Sequence, residues 1–340
     1  MRDLFVDFEN TSLAKWETIL EKELGSDYRE KPAVKGLSLN GAQSFEKRVE
    51  NPIRVISRAK PWWICQEIDP VDLGNLNATI LESLAGGASA VAIKLDKLWS
   101  VQDFEQVFDS VILEFIYLRF VFVSEANWHQ EFSNNFLDFI KSKDLKFDAL
   151  NYSFSNLSFF DTKLNSEVSM PHTDNIHTDL AQVLFQLEKN ILLTESISKP
   201  IVALKSRENF YLNLVQVKVL KHLWFKITET YNKPAAQNLL VIIEANNQEA
   251  DPNAQAIAYT QIAISSVIGG ADMLSFEDLN YDQTQYGSQF ASRITRNIQH
   301  VLQQESLIEE VIDASVGSYF IDNLASELNE KVWAEFRKLG

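Results

Sequence analysis

The sequence contains a single cysteine, Cys65, and no apolar run that approaches the roughly 18 residues needed to cross a bilayer. One cysteine cannot form an internal disulfide, so a reducing cytoplasm is the expected location. The first residues lack the basic and apolar regions of a secretory signal, and none is expected. Basic residues are few: 31 lysines and arginines stand against 47 acidic residues, a net charge of −16. Neither a nucleic acid, which such a chain would repel, nor a membrane is an expected partner.

Hydrophobic residues make up 46% of the 340 residues, enough for a large core. After Pro61, short apolar runs alternate with stretches of helical periodicity. The predicted strands are 62–68, 90–95, 118–124, 149–154, 167–170, 201–205, 239–244 and 273–276. The predicted helices between and after them are 72–84, 101–112, 128–141, 176–192, 211–230, 253–268, 289–305 and 319–338.

Eight strands with intervening helices favour an α/β fold, a closed (β/α)8 TIM-type barrel. Strands that are apolar at nearly every residue, such as 239–243, suit a sheet that is buried on both faces. The G-x-G-x-x-G motif follows none of the predicted strands, which counts against an open dinucleotide-binding sheet. The barrel with its C-terminal helices is expected to occupy residues 61–340.

Residues 1–60 are predicted to form an N-terminal arm outside the barrel, with one helix over 13–24. The rest of the arm contains scattered prolines and glycines and reads as irregular. Phe5 and Phe8 are apolar residues of this arm that look exposed. We therefore expect the arm to serve in docking to another subunit.

Several motifs resemble the barrel domain of methylmalonyl-CoA mutases. Gly269-Gly-Ala-Asp-Met resembles the family's Gly-Gly-Ala-Asp strand entry, and Phe290-Ala-Ser-Arg-Ile-Thr-Arg-Asn-Ile-Gln its Ala-x-Arg-x-x-Arg-Asn-x-Gln helix. Pro61-Trp-Trp-Ile-Cys-Gln resembles the family's Pro-Trp-x-Ile-Arg-Gln strand, and Val316-Gly-Ser-Tyr-Phe its Gly-Ser-Tyr-Tyr segment. The resemblance covers nearly the whole chain and implies the rearrangement of methylmalonyl-CoA to succinyl-CoA by radical chemistry on adenosylcobalamin.

The chain departs from the family where the family's active subunits hold the acyl group. Their first strand reads Pro-Trp-Thr-Ile-Arg-Gln-Tyr. The resemblance places Trp63 at the Thr, Cys65 at the Arg and Glu67 at the Tyr. The cation that would meet an anionic substrate is missing, and Glu67 would repel a carboxylate.

A second departure concerns the family's Tyr-His pair on strand five. Glu167 and Val168 align with that pair, and Val168 has no proton to give. The Ala-Gly-Ala that follows in active subunits is replaced by His172, Thr173 and Asp174. The degenerate positions are therefore Trp63, Cys65, Glu67, Glu167 and Val168. No catalytic, cofactor-binding or metal-binding residue is predicted, which suggests an inactive barrel.

The family's cobalamin module carries an Asp-x-His-x-x-Gly motif, and none of the five histidines lies in one. The resemblance therefore implies the small, non-catalytic subunit of a heterodimeric mutase, with adenosylcobalamin bound by the large partner subunit. When isolated, the chain is expected to be inactive and to pair with a second copy. A further interpretation is that a degenerate cobalamin-type module follows downstream in a longer protein.

Other residues keep two interpretations open. Glu67, Asp96, Glu125 and Glu244 end predicted strands, where barrel enzymes place acids and bases, or they are polar rim groups. His172 and His177, near Asp174 and Asp179, suggest a metal site or, more simply, capping of a helix.

Cys65 is expected to be an apolar filler rather than a nucleophile. Trp62 and Trp63 should point to opposite sides of the strand, so that one of them fills the barrel interior. The alternative function is a barrel that itself binds an acyl-CoA or another small ligand, as an enzyme or sensor, and a polar cavity containing Glu67 and Glu244 would favour it.

Overall fold

A computed structural model describes most of the chain from residue 12 onward. The described residues are 12–29, 34, 37, 48–55, 61–69, 72–123, 127–146, 149–155, 165–193, 200–237, 239–245, 251–282 and 289–340. Phe5, Phe8 and Glu125 lie outside these residues, as does the middle of the connection between the fourth and fifth strands.

The predicted barrel is confirmed. Eight parallel strands pair in the order β4-β3-β2-β1-β8-β7-β6-β5. A parallel bridge between Phe154 and Ser166 joins the two ends of this order. The strands are β1 (Trp63–Ile68), β2 (Ala90–Leu95), β3 (Tyr117–Phe122), β4 (Asn151–Ser155), β5 (Glu167–Ser169), β6 (Ile201–Lys205), β7 (Leu240–Ala245) and β8 (Met273–Phe276).

Helices follow the strands as the periodicity predicted. They are α1 (Leu13–Leu24), α2 (Leu73–Ala85), α3 (Val101–Val107), α4 (His129–Ser142), α5 (Ile176–Leu193), α6 (Phe210–Thr230), α7 (Pro252–Gly269), α8 (Phe290–Gln304) and α9 (Tyr319–Leu339). Short 3₁₀ turns occupy Ser26–Arg29, Leu113–Phe115 and Pro234–Gln237.

One predicted helix is shorter than expected. The pattern predicted a helix over 101–112, but α3 ends at Val107, and Ser110 adopts a positive φ of 60°. A left-handed serine turns the chain away from the helix without the glycine that commonly marks such a turn. The predicted helix was too long because no glycine marks the end of the helix in the sequence.

Two apolar layers surround the sheet, and a third fills it. An aromatic cluster packs α3 and α4 on β3 and β4, with edge-to-face contacts such as Phe104–Phe120 at 6.2 Å and Phe120–Phe132 at 5.4 Å between ring centroids. A larger aliphatic layer lies under α5, α6, α7 and α9. A small cluster that includes Cys65, Tyr117 and Met273 fills the interior of the barrel.

The described part of the N-terminal segment both packs on the barrel and extends from it. Val34 and Ile53 are buried in the aliphatic layer, and the Val55 amide donates to Asp313 at 2.9 Å. By contrast, no side chain of α1 is buried, and Leu24 remains 58% exposed. The role of this segment in subunit docking stays a prediction.

Candidate functional site at the barrel mouth

Strand alternation decides which side chains enter the barrel. On β1, Trp63, Cys65 and Glu67 point inward, whereas Ile64 and Ile68 pack outward under the helices. The ring centroids of Trp63 and Tyr117 are 5.9 Å apart. Trp63 therefore packs in the barrel interior, as predicted for one of the two tryptophans. Trp62 faces the other side and donates from Nε1 to Gln299 at 3.3 Å.

A buried arginine dominates the middle of the barrel. Arg119 on β3 donates from Nε to Glu167 Oε1 at 2.9 Å and from Nη2 to Oε2 at 2.8 Å. Nη2 also contacts Glu244 of β7, and Ser153 donates to Glu167. Arg119 and Glu167 are almost completely shielded from water, which makes their mutual neutralisation essential.

These ion pairs set the protonation of the groups. Burial would lower the pKa of Arg119, but Glu167 and Glu244 raise it well above its ordinary value. Burial would likewise raise the pKa of Glu244, yet Arg119 and Lys205 lower it to about 2. Arg119 and Glu244 are therefore both charged at neutral pH.

Two lysines lie towards the carboxyl ends of the strands, and one of them contacts this network. Lys205 of β6 lies 2.6 Å from Glu244. Lys94 of β2 lies 2.9 Å from Asp69 and 3.4 Å from Glu67, whose carboxylate also accepts from Ser275 at 2.9 Å. Each lysine therefore already contacts at least one carboxylate.

Above this network lies a cavity of about 260 Å³ at the mouth of the barrel. Its charged lining consists of Glu67, Lys94, Arg119, Lys205, Glu244 and Glu277. This is the face on which β/α barrels usually carry their sites. The cavity is slightly smaller than the usual 300–1,000 Å³ of ligand pockets.

The structure brings together only some of the residues singled out from the sequence. Glu167 and Glu244 both pair with Arg119, whereas Glu67 pairs with Lys94 at the same cavity. Val168 is buried on the outer side of β5, in the layer beneath the helices. The pair Glu167–Val168 therefore presents only its first member to the interior.

Cys65 is 2% exposed inside the barrel. Burial raises the pKa of its thiol to about 12, despite the nearby charge of Arg119. Because the thiolate is the reactive form, this cysteine is an inert packing residue.

The remaining candidates lie away from the cavity. Asp96 is exposed on the loop after β2. Asp179 accepts from the amide and hydroxyl of Thr173 and pairs with Arg207 at 2.6 Å, an arrangement that fixes the turn before α5. His172 is exposed and His177 lies on the first turn of α5. Within the described ranges, no cluster of three or more candidate ligands is arranged to hold a metal ion.

The residues present do not fit cobalamin ligation in this cavity. A cobalt ligand would be a histidine, and none of the five histidines lines the mouth. His129 is buried, with its ring 4.0 Å from that of Phe122, and His300 lies beside Gly86 on the outside of the barrel.

The sequence did not predict the three cations of the cavity lining, Arg119, Lys94 and Lys205. Arg119 interrupts the apolar run Tyr-Leu-Arg-Phe-Val-Phe, and its two-residue spacing from Tyr117 places both side chains on one face. A lone arginine in a strand buried on both faces was therefore the available signal for an interior ion pair.

Fold and site together define a parallel β/α barrel with a charged cavity at the carboxyl ends of its strands. Residues 199–340 match the family model described as methylmalonyl-CoA mutase. The match agrees with the resemblance to this family that the motifs predicted. No helix among the described residues is both long and apolar enough to cross a membrane.

Individual relatives of this chain carry the same family name, and their sequence identity to the chain is low. A methylmalonyl-CoA mutase of Cereibacter sphaeroides is 30% identical over 131 residues, covering 37% of this chain and 18% of the relative. A probable methylmalonyl-CoA mutase small subunit of Mycobacterium tuberculosis is 24% identical over 161 residues, covering 45% of this chain and 26% of the relative. The aligned part thus spans about a quarter or less of these relatives. Among solved structures, dihydropteroate synthase from Thermus thermophilus is 11% identical with a TM-score of 0.44, over 72% of this chain and 94% of that one.

Proposed function

We propose that the chain is the non-catalytic small subunit of a heterodimeric, adenosylcobalamin-dependent methylmalonyl-CoA mutase. In this proposal the large partner subunit binds the cofactor and interconverts methylmalonyl-CoA and succinyl-CoA. This chain is inactive by itself and works in the cytoplasm, where its single cysteine stays reduced. The names of several relatives, which are called small subunits, support the proposal.

The structural observation that best supports the proposal is the pairing of Arg119 with carboxylates of the chain itself. An anionic acyl group would need a cation in the barrel, and the position expected from the family holds the neutral thiol of Cys65. Arg119 is a cation that could pair with an anionic acyl group in its place. Two carboxylates of the chain itself, Glu167 and Glu244, already neutralise it. A substrate carboxylate would have to displace Glu167 or Glu244 and leave a buried charge unpaired.

Turnover and cofactor binding test this proposal. The chain alone should neither convert methylmalonyl-CoA nor perturb the absorption spectrum of adenosylcobalamin, whereas the large subunit from the same genome should do both. Conversion of methylmalonyl-CoA by the chain alone would overturn the proposal.

A second candidate function is a barrel that binds a small ligand itself. The mouth cavity that contains both Glu67 and Glu244 favours it. An acyl-CoA is much larger than this cavity and carries the wrong charge for it. Isothermal titration with acyl-CoA esters should give no heat, and a measurable affinity would show that this barrel retains the family's ligand class.

A further inference from the structure

The charges around the mouth cavity are unevenly matched. Three cations, Lys94, Arg119 and Lys205, and three carboxylates, Glu67, Glu244 and Glu277, line the cavity. A fourth carboxylate, Glu167, lies outside the lining and pairs with Arg119. Lys94 is shared further with Asp69 outside the cavity. Carboxylates therefore outnumber cations only when Glu167, outside the lining, is counted with this partly enclosed cavity.

Glu277 is the lining carboxylate that forms no ion pair among the described contacts. Its backbone amide is fixed on Ala245 at 3.2 Å, directly after β8. Its side chain makes no ion pair and accepts no hydrogen bond within the described part of the chain, while Lys94 and Lys205 are held on other carboxylates. Burial and the neighbouring Glu67 raise the pKa of Glu277 by more than Lys94 and Lys205 lower it, as expected for a carboxylate that neither lysine pairs with directly.

We propose that the barrel mouth binds a small organic ammonium ion, whose charged end pairs with Glu277 inside the cavity. A protonated amine supplies both the missing positive charge and several N–H donors. The alkyl part would rest on the apolar part of the lining, which includes Val121, Met170 and Ala203.

Other ligand classes suit the cavity less well. An anion would have to compete with carboxylates that already hold all three cations. A metal ion would need three or more converging ligands, and the described residues provide no such cluster. The volume of about 260 Å³ limits the ligand to a small molecule.

Titration of the full chain with n-butylamine, butyrate and n-butanol near pH 7 tests the site, because the three probes share an alkyl chain and differ in charge. Butylamine should bind, and Glu277→Gln should weaken it about tenfold or more, since a hydrogen-bonded charge pair is lost. Glu277→Asp keeps the charge and should lose less affinity. Glu330→Gln, at an exposed carboxylate on α9, is the matched control and should bind like the parent chain.

Three results would overturn the proposal: no binding of butylamine, preferential binding of butyrate, or butylamine binding that Glu277→Gln leaves unchanged. Thermal melting of each variant checks that the fold is intact. The inference is independent of the mutase proposal, because it concerns a ligand of opposite charge and needs no partner subunit.

Discussion

Arg119 and Glu167 form a two-point ion pair inside the barrel, across the intervening strand β4. Two nitrogens of the guanidinium lie 2.8 and 2.9 Å from the two carboxylate oxygens. Both side chains are inaccessible to water, so neither charge has an alternative partner in solvent. The pair accounts for a barrel interior that is charged but shielded from water.

Arg119→Met should destabilise the fold by about 3–5 kcal/mol, because Glu167 would remain buried and uncompensated. Urea unfolding measures the change. The double variant Arg119→Met with Glu167→Gln should recover part of the loss, since the orphaned charge is removed as well. A single variant within about 1 kcal/mol of the parent would show that water or another group replaces the guanidinium.

Glu244 should make the fold sensitive to acid. Its pKa is about 2 in the folded chain against an ordinary value of 4.5, because Arg119 and Lys205 outweigh the effect of burial. A lowered folded pKa gives stability that is complete above about pH 5 and is lost as the pH falls towards 2, about 3 kcal/mol in all.

The free energy of unfolding, measured in urea between pH 7 and pH 3, should therefore fall less steeply for Glu244→Gln than for the parent chain. Equal slopes would mean that Glu244 does not carry this dependence. Glu330→Gln, at an exposed position with no ion pair among the described contacts, should keep the parent slope.

Gly269, the last residue of α7, should not tolerate a side chain. A Cβ there would lie 2.4 Å from the carbonyl oxygen of Leu214 on α6, which is backbone and cannot move aside. Gly269→Ala should cost about 1–3 kcal/mol in the free energy of unfolding, through forced separation of the two helices.

Gly74→Ala in α2 is the control for this substitution. There the new Cβ would meet only the side chain of Asp72 at 3.3 Å. Because Gly74 lies in the first turn of α2, its replacement should change the free energy of unfolding by no more than about 0.5 kcal/mol. A harmless Gly269→Ala would contradict the close packing of α6 on α7.

Cys65 should be chemically silent in the folded chain. Its thiol is buried and its pKa is raised to about 12, so very little thiolate exists at pH 8. Ellman's reagent should label it only after unfolding in urea. Rapid labelling of the folded chain would reveal an accessible, activated cysteine and reopen the interpretation as a nucleophile.

The elements of the barrel were predictable because buried parallel strands and amphipathic helices carry different periodicities. The start of β2 at Ala90 and the whole of β6 and β8 were predicted to the residue. The interior network was not predictable in the same way. Alternation places Arg119 inside the barrel, but its pairing with Glu167 depends on the relative register of β3, β4 and β5.

The same limit applies to the mouth. Glu67 and Glu244 were recognised as ends of strands, and the structure adds that Ser275 and Lys94 hold the first, and Arg119 and Lys205 the second. Glu277 follows a strand of only four residues and had no distinguishing pattern. Its proposed role rests on the lack of an ion pair with Lys94 or Lys205 among the described contacts, which only the three-dimensional structure reveals.

The central claim is that this chain acts as the partner of a catalytic mutase subunit. The most direct test mixes the purified chain with the large mutase subunit of the same genome and measures the mass of the product by size-exclusion chromatography with light scattering. The account predicts a stable one-to-one complex, with turnover of methylmalonyl-CoA only in samples that contain the large subunit. Two separate species in the mixture, with the large subunit fully active by itself, would contradict it.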